Sequence, residues 1–235
     1  MHTYRTILMD LDGTLVDSND AHASAWTSAL RDAGYDVAFA DVRERIGMGA
    51  ERMLYELASL SLDDARAQRV RADYAHLFES VHLPRVSVLP GARDLLARIK
   101  HEGLTLVLAT PSGSEQTRQL LEHAQLIPAF DYVVTGDELL SARPTEPVRT
   151  ALERAGTRAS EALLIGDTPY DIARARSAGV AALALRSGGW PDAALAGAVA
   201  VYADARDLLT HFGMSPLSRL PAPAHELDFV RGAAA

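Results

Sequence analysis

The sequence predicts an α/β fold, a doubly wound parallel sheet covered by helices on both faces, with a small all-helical unit inserted after the first strand. Three observations lead there. Short apolar runs alternate with segments of helical periodicity along most of the chain. From about residue 17 to 82 that alternation stops and every segment reads as helix. The first apolar run ends in two aspartates, and open sheets of this class collect their ligands at the carboxyl ends of their strands.

The first strand is expected over residues 5–10, where Ile7-Leu8-Met9 runs into Asp10-Leu11-Asp12-Gly13-Thr14. Gly13 lets the backbone turn closely around a ligand. The inserted unit spans 16–82, with Ala25, Trp26, Ala29 and Leu30 on one helix face and Met53, Leu54 and Leu57 on another. Trp26 reads as part of its core. Its entry near Val16 and its exit near Leu83-Pro84 are the expected hinges. Leu95, Leu96 and Ile99 then form the inner stripe of a helix stopped by Gly103. Further strands are expected at 104–109, 132–135, 162–166 and 180–185, with a sixth at 199–202. Ser112 with Glu115 has capping-box spacing for the helix after the second strand. Thr168-Pro169 supplies a cap and first turn for the helix carrying Asp171. Residues 1–15 and 83–214 thus make the sheet-bearing core, and the Pro- and Ala-rich tail 215–235 reads as irregular.

With 235 residues and 48% hydrophobic content, the chain can bury the core of one large domain or two coupled ones. The net charge of -8 and the lack of any Lys or Arg run argue against nucleic acid as a partner. The absence of cysteine excludes disulfides, thiolate zinc sites and cysteine nucleophiles, and agrees with a reducing compartment. The chain reaches its first strand within ten residues and has no apolar run near 18, so neither a signal segment nor a membrane span is expected. The cytoplasm is the default location. Oligomeric state is not legible.

Four segments stand in a set order: Asp10 to Ser18, Leu106 to Thr110, Arg143-Pro144, and Leu163 to Asp171. From about residue 5 to 210 the chain resembles the haloacid dehalogenase superfamily, in its phosphoglycolate phosphatase and β-phosphoglucomutase branch. That resemblance implies a Rossmann-like core, a helical cap of the first type, Mg²⁺ as cofactor and a small phosphorylated metabolite as substrate. Asp10 would be the nucleophile, forming an aspartyl phosphate, and Asp12 the acid and then the base. Thr110 and Arg143 would bind the phosphoryl group. Asp10, Asp167 and the backbone carbonyl of Asp12 would hold the metal, with Asp171 in support.

Elementary chemistry agrees with these roles. A phosphate monoester is a dianion, so a carboxylate attacks it only where positive charge neutralises both partners. Strand-end carboxylates are the hard oxygen donors that Mg²⁺ prefers. Having both Asp10 and Asp12 argues against a dehalogenase, because a halide leaving group needs no acid.

The chain departs from the family pattern twice. Pro111 follows Thr110 and has no N–H with which to hold phosphate. Arg143 stands where most relatives carry Lys, and the segment from Pro144 to Ala151 is about one residue short. Two alternatives stay open: a sugar-phosphate mutase, which would use the same residues but keep the aspartyl phosphate from water, and a non-enzymatic protein that binds a phosphorylated ligand, which these departures support. In the cap, Gly47-Met48-Gly49-Ala50 forms a turn expected over the carboxylates, which makes Met48 a candidate substrate contact. His22 either touches substrate or is a half-buried helix residue. Arg43, Arg45 and Arg52 could recognise a second acidic group or form a solvated face.

Overall fold

Side chains alternate between the two faces of a strand, and here both faces are apolar. Ile7, Met9, Leu106, Leu108, Leu163, Ile165, Leu183 and Leu185 join one buried cluster. Their neighbours Leu8, Val107, Ala109, Leu164, Ala182 and Ala184 join a second. The computed structural model describes residues 4–138 and 146–218. Its strands are β1 (Thr6–Met9), β2 (Thr105–Ala109), β3 (Tyr132–Val134), β4 (Ala162–Gly166), β5 (Ala181–Leu185) and β6 (Ala200–Tyr202). They form one parallel sheet in the order β3-β2-β1-β4-β5-β6, the Rossmann-like order expected.

Helices cover both faces. The first cluster takes in Leu95, Leu96 and Ile99 of α5 (Ala92–His101), Leu120 and Leu121 of α6 (Ser114–His123) and Leu208 of α9 (Ala205–Thr210). The second takes in Val148 and Ala151 of α7 (Glu146–Ala155) and Ile172 and Ala175 of α8 (Pro169–Ser177). Gly103 follows the C-cap of α5 at φ +70°, as its stop role requires. The capping box expected at α6 is absent. Its N-cap is Gly113, and the Ser114 N–H and hydroxyl instead donate to Asp137 at 2.6 and 2.9 Å. An acceptor from a distant loop has displaced the local one.

Between β1 and α5 lie four further helices, α1 (Asn19–Asp32), α2 (Phe39–Arg43), α3 (Ala50–Ala58) and α4 (Ala65–Leu77). A π turn, Phe78–His82, and a short 3-10 turn, Leu83–Arg85, carry the chain back to the core. Trp26 stacks on Tyr74 with centroids 3.8 Å apart, and His22 stacks on Phe78 at 4.2 Å. Met53 and Leu54 are buried, and Leu57 is partly so. The way in and the way out run side by side, with Asp17 N–H donating to Ser87 O and Leu89 N–H to Leu15 O. Of the expected tail, residues 215–218 are described, and Leu217 joins the first cluster.

Strand order reverses between β1 and β4, so their carboxyl ends flank the crevice where this topology binds ligands. β2 flanks β1 on its other side. Three of the four sequence motifs therefore end at one place.

Candidate active site

Asp10 still keeps strand register, its N–H donating to Ile165 O at 3.0 Å. Asp12 follows two residues later, Asp167 follows β4 directly, and Asp171 comes from the first turn of α8. Asp10, Asp167 and Asp171 are buried together, and one carboxylate oxygen from each lies within 4.8 Å of the others. Glycines make the room. A Cβ at Gly13, where φ is +74°, would collide with Asn19 and Asp167, and one at Gly188 would strike Asp167.

Each carboxylate has a different surround. Asp167 accepts from Thr14 Oγ1 at 2.9 Å and Asn19 Nδ2 at 3.0 Å. Asp171 accepts from the Thr168 N–H and hydroxyl at 3.0 and 2.7 Å, in a capping box, and from Arg174 Nη2 at 2.6 Å. Asp10 Oδ1 is buried with no hydrogen-bond partner among the described residues, and so is Asn19 Oδ1. Burial, reinforced by the charges of Asp171, Asp167 and Asp12, drives the Asp10 carboxyl well above its ordinary range. Burial and the charge of Asp171 push Asp167 up to about 8, against the bonds from Thr14 and Asn19. Three buried carboxylates beside one arginine cannot all ionise without further positive charge. An unpartnered oxygen among convergent hard donors fits a small divalent cation such as Mg²⁺.

Asp12 is treated in the opposite way. Burial alone would raise it, but the charge and hydrogen bond of His22, with bonds from Ser18 and Ser112, outweigh that and hold it below the usual carboxylate range. Ser18 Oγ lies 2.6 Å and His22 Nε2 2.7 Å from Asp12 Oδ1, while Ser112 Oγ lies 3.1 Å from Oδ2. His22 is 4% exposed rather than half-buried. Its Nδ1 meets Tyr74 Oη at 2.9 Å, and Tyr74 in turn accepts from Gln116. Burial raises the Tyr74 hydroxyl and keeps it protonated, and His22 thereby links Asp12 to Tyr74 and Gln116 in one buried network.

A cavity of about 420 Å³ opens above Asp10 and Asp12, between cap and core, and His22 lines it too. Gly47 and Gly49 line its roof and Pro111 and Ser112 its floor. The Met48 side chain packs, partly buried, against the first apolar cluster. Thr110 is fully buried at the end of β2, and its hydroxyl accepts from the Ser112 N–H at 3.2 Å. Arg143 and Pro144 lie outside the described residues. Arg43 donates to Asp20 and to Gly188 O, and Arg45 and Arg52 both bind Glu56. Arg71, which also lines the cavity, has no partner among the described residues.

The sequence assigns no site role to Thr14, Ser18, Asn19 or Arg174, and to Ser112 only a helix cap. Thr14 sat inside the quoted Asp-x-Asp-Gly-Thr segment, and Ser18-Asn19 closes the same motif at a helix start, so a signal existed. Ser112 and Arg174 carry none, because their partners are remote in sequence or belong to another helix turn.

A family model for haloacid dehalogenase-like hydrolases matches residues 7–185. A probable phosphatase, IndB, of Dickeya dadantii is 34% identical over 188 residues, 77% of this chain and 81% of that protein. A phosphoglycolate phosphatase of Rhodospirillum rubrum is 33% identical, over 85% of this chain and 87% of that protein. The crystal structure of a hydrolase from Pseudomonas syringae superposes with a TM-score of 0.82 at 31% identity, covering 89% of this chain and 98% of that one. With the sheet order and the aspartate cluster at its switch point already matching the expected pattern, the chain belongs to the haloacid dehalogenase-like hydrolase family.

Proposed function

We propose that this protein is a Mg²⁺-dependent phosphatase that hydrolyses a small phosphorylated metabolite through an aspartyl phosphate on Asp10. One observation carries the proposal: Asp10 Oδ1 is buried without a partner, beside Asp167 and Asp171, on a cavity that Asp12 also lines. Asp10, Asp167 and the Asp12 carbonyl would hold Mg²⁺, with Asp171 in support. Bound there, the ion supplies the positive charge that lets an anionic carboxylate approach a dianionic phosphoryl group.

Asp10 attacks phosphorus, forming a carboxylate–phosphorus bond as the bond to the leaving oxygen breaks. That oxygen takes a proton from Asp12. The free protein holds Asp12 low, but a phosphate dianion arriving beside it raises its proton affinity, and His22 Nε2–H keeps the carboxyl oriented. Water then attacks the aspartyl phosphate and gives its proton to Asp12, which regenerates both carboxyl groups and releases phosphate. Thr110 and Arg143 complete the phosphate pocket in this proposal, Arg143 as its cation in place of the family's Lys. Pro111 leaves it one N–H short.

The same proposal divides the chain into a catalytic core, 1–15 and 83–214, and a substrate-selecting cap, 16–82, and places the protein in the cytoplasm. Its lack of cysteine supports that placement, and no described helix is long and apolar enough to cross a membrane. A phosphate-release screen over a panel of phosphorylated metabolites, with Mg²⁺ and with EDTA, tests the function. Free phosphate should accumulate with Mg²⁺ alone. Isomerised sugar phosphate without free phosphate would instead identify a mutase, and ligand binding without turnover a non-enzymatic protein.

A further inference from the structure

Arg174 is an arginine of α8 whose side chain is only 9% exposed, and it has two partners in different parts of the molecule. Nη2 donates to Asp171 Oδ1 at 2.6 Å, at the edge of the aspartate cluster. Nη1 donates to the carbonyl of Gly47 at 2.7 Å, in the cap turn that roofs the cavity. Two other contacts fasten the end of α2, just before that turn, to the core: Tyr170 through Glu44 O at 2.8 Å and Arg43 through Gly188 O at 2.7 Å. Of these three fastenings, only Arg174's also touches a carboxylate of the cluster.

We propose that Arg174 is a positioning residue that couples the charge of the aspartate cluster to closure of the roof over the substrate cavity. The inference rests on the phosphatase reading, because it takes the cluster to hold Mg²⁺. Its direction follows from charge. While the cluster is unneutralised, Asp171 anchors the guanidinium, and the anchored guanidinium holds Gly47. A divalent cation at the cluster repels the guanidinium and takes over neutralisation, so the roof turn loses its anchor. By linkage the converse holds, and a closed roof that keeps Arg174 beside Asp171 lowers affinity for the cation. Mg²⁺ and roof closure therefore oppose each other in the substrate-free protein. The metal loads through an open roof, and the substrate's own negative charge then offsets the repulsion and lets the roof close.

The test uses Mg²⁺ alone, without substrate, at pH 8. Isothermal calorimetry measures Mg²⁺ affinity, and hydrogen–deuterium exchange measures protection of peptides covering residues 43–49, for the wild type, Arg174→Met and Arg174→Lys. In the wild type, Mg²⁺ should speed exchange in that segment. In Arg174→Met, exchange should be fast already and indifferent to Mg²⁺, and the Mg²⁺ Kd should fall on the order of tenfold. Arg174→Lys keeps the charge but has no planar fork to serve both acceptors, so its Kd should stay within about threefold of wild type while the exchange response disappears. This second variant decides the matter if circular dichroism shows the first to be unfolded. A merely structural arginine would give weaker Mg²⁺ binding on removal, or an unchanged exchange response, and either overturns the proposal. Wild type that binds Mg²⁺ without altered exchange in 43–49 overturns the coupling and leaves the phosphatase reading standing. Wild type that binds no Mg²⁺ overturns both.

Discussion

Two carboxyl groups that follow β1, separated by one residue, are pushed in opposite directions by what surrounds them. Asp10 is crowded by other carboxylates, whereas Asp12 is ringed by His22, Ser18 and Ser112. Environments that split a pair of acids in this way also separate their roles. In the free protein the split leaves Asp12 the stronger acid of the two, so its part as proton donor depends on the phosphate dianion that raises its proton affinity on binding. If it serves as acid and then base, Asp12→Asn should slow a sugar phosphate by about 100-fold or more and nitrophenyl phosphate by less than about 10-fold, because nitrophenolate hardly needs a proton. Steady-state rates on the two substrates check this, and equal losses would remove Asp12 from the role. The pocket floor offers a second test. Pro111→Ser restores an N–H beside Thr110, and a donor in such a pocket is worth on the order of 3 kcal/mol. The variant should therefore raise kcat or tighten inhibition by inorganic phosphate, read from inhibition constants with circular dichroism as the folding control.

At the scale of elements, α8 carries the site into the fold. Thr168 caps it, Pro169 opens it, and Asp171 closes the capping box while facing the cluster, so one turn of helix both starts the element and places an acid. Thr168→Ala should cost about 1 kcal/mol of stability, and Thr168→Ser only a few tenths, measured as urea midpoints. This turn was legible in the sequence because all its partners lie within three residues. The strands were legible for a related reason: burial on both faces made them short continuous apolar runs. The box at Ser112 and Glu115 had the right spacing and did not form, since Asp137 reaches Ser114 from the loop after β3 and Ser112 turns to Asp12. His22 was visible only as an ambiguous helix residue. Its significance comes from Asp12, ten residues away across a turn, and from Tyr74 on another helix. Arg174 and Gly47, separated by 127 positions, were beyond any local pattern.

The whole molecule stores like charge at its centre, and its stability should record that. Asp10 and Asp167 keep protons in the folded state that the unfolded chain, with ordinary carboxyls, has already released. The folded form thus binds more protons than the unfolded form between about pH 4 and pH 8, and stability of the metal-free protein falls as pH rises through that window. The lowering of Asp12 acts only at and below the acidic end of the window. Calorimetric melts in EDTA should show midpoints declining from pH 5 to 8. Added Mg²⁺ should reverse the decline and stabilise most at the alkaline end, where it displaces fewest protons. A metal-free midpoint that climbs over the same range would contradict this electrostatic account. The central claim, that Asp10 is the nucleophile of a metal-dependent phosphatase, meets its most direct test in one comparison. Phosphate release from the best substrate of the panel is measured with Mg²⁺ for wild type and for Asp10→Asn, the variant verified as folded and free of deamidation. Turnover by the Asn variant should fall on the order of 10⁴-fold or more; release at the wild-type rate would contradict the assignment.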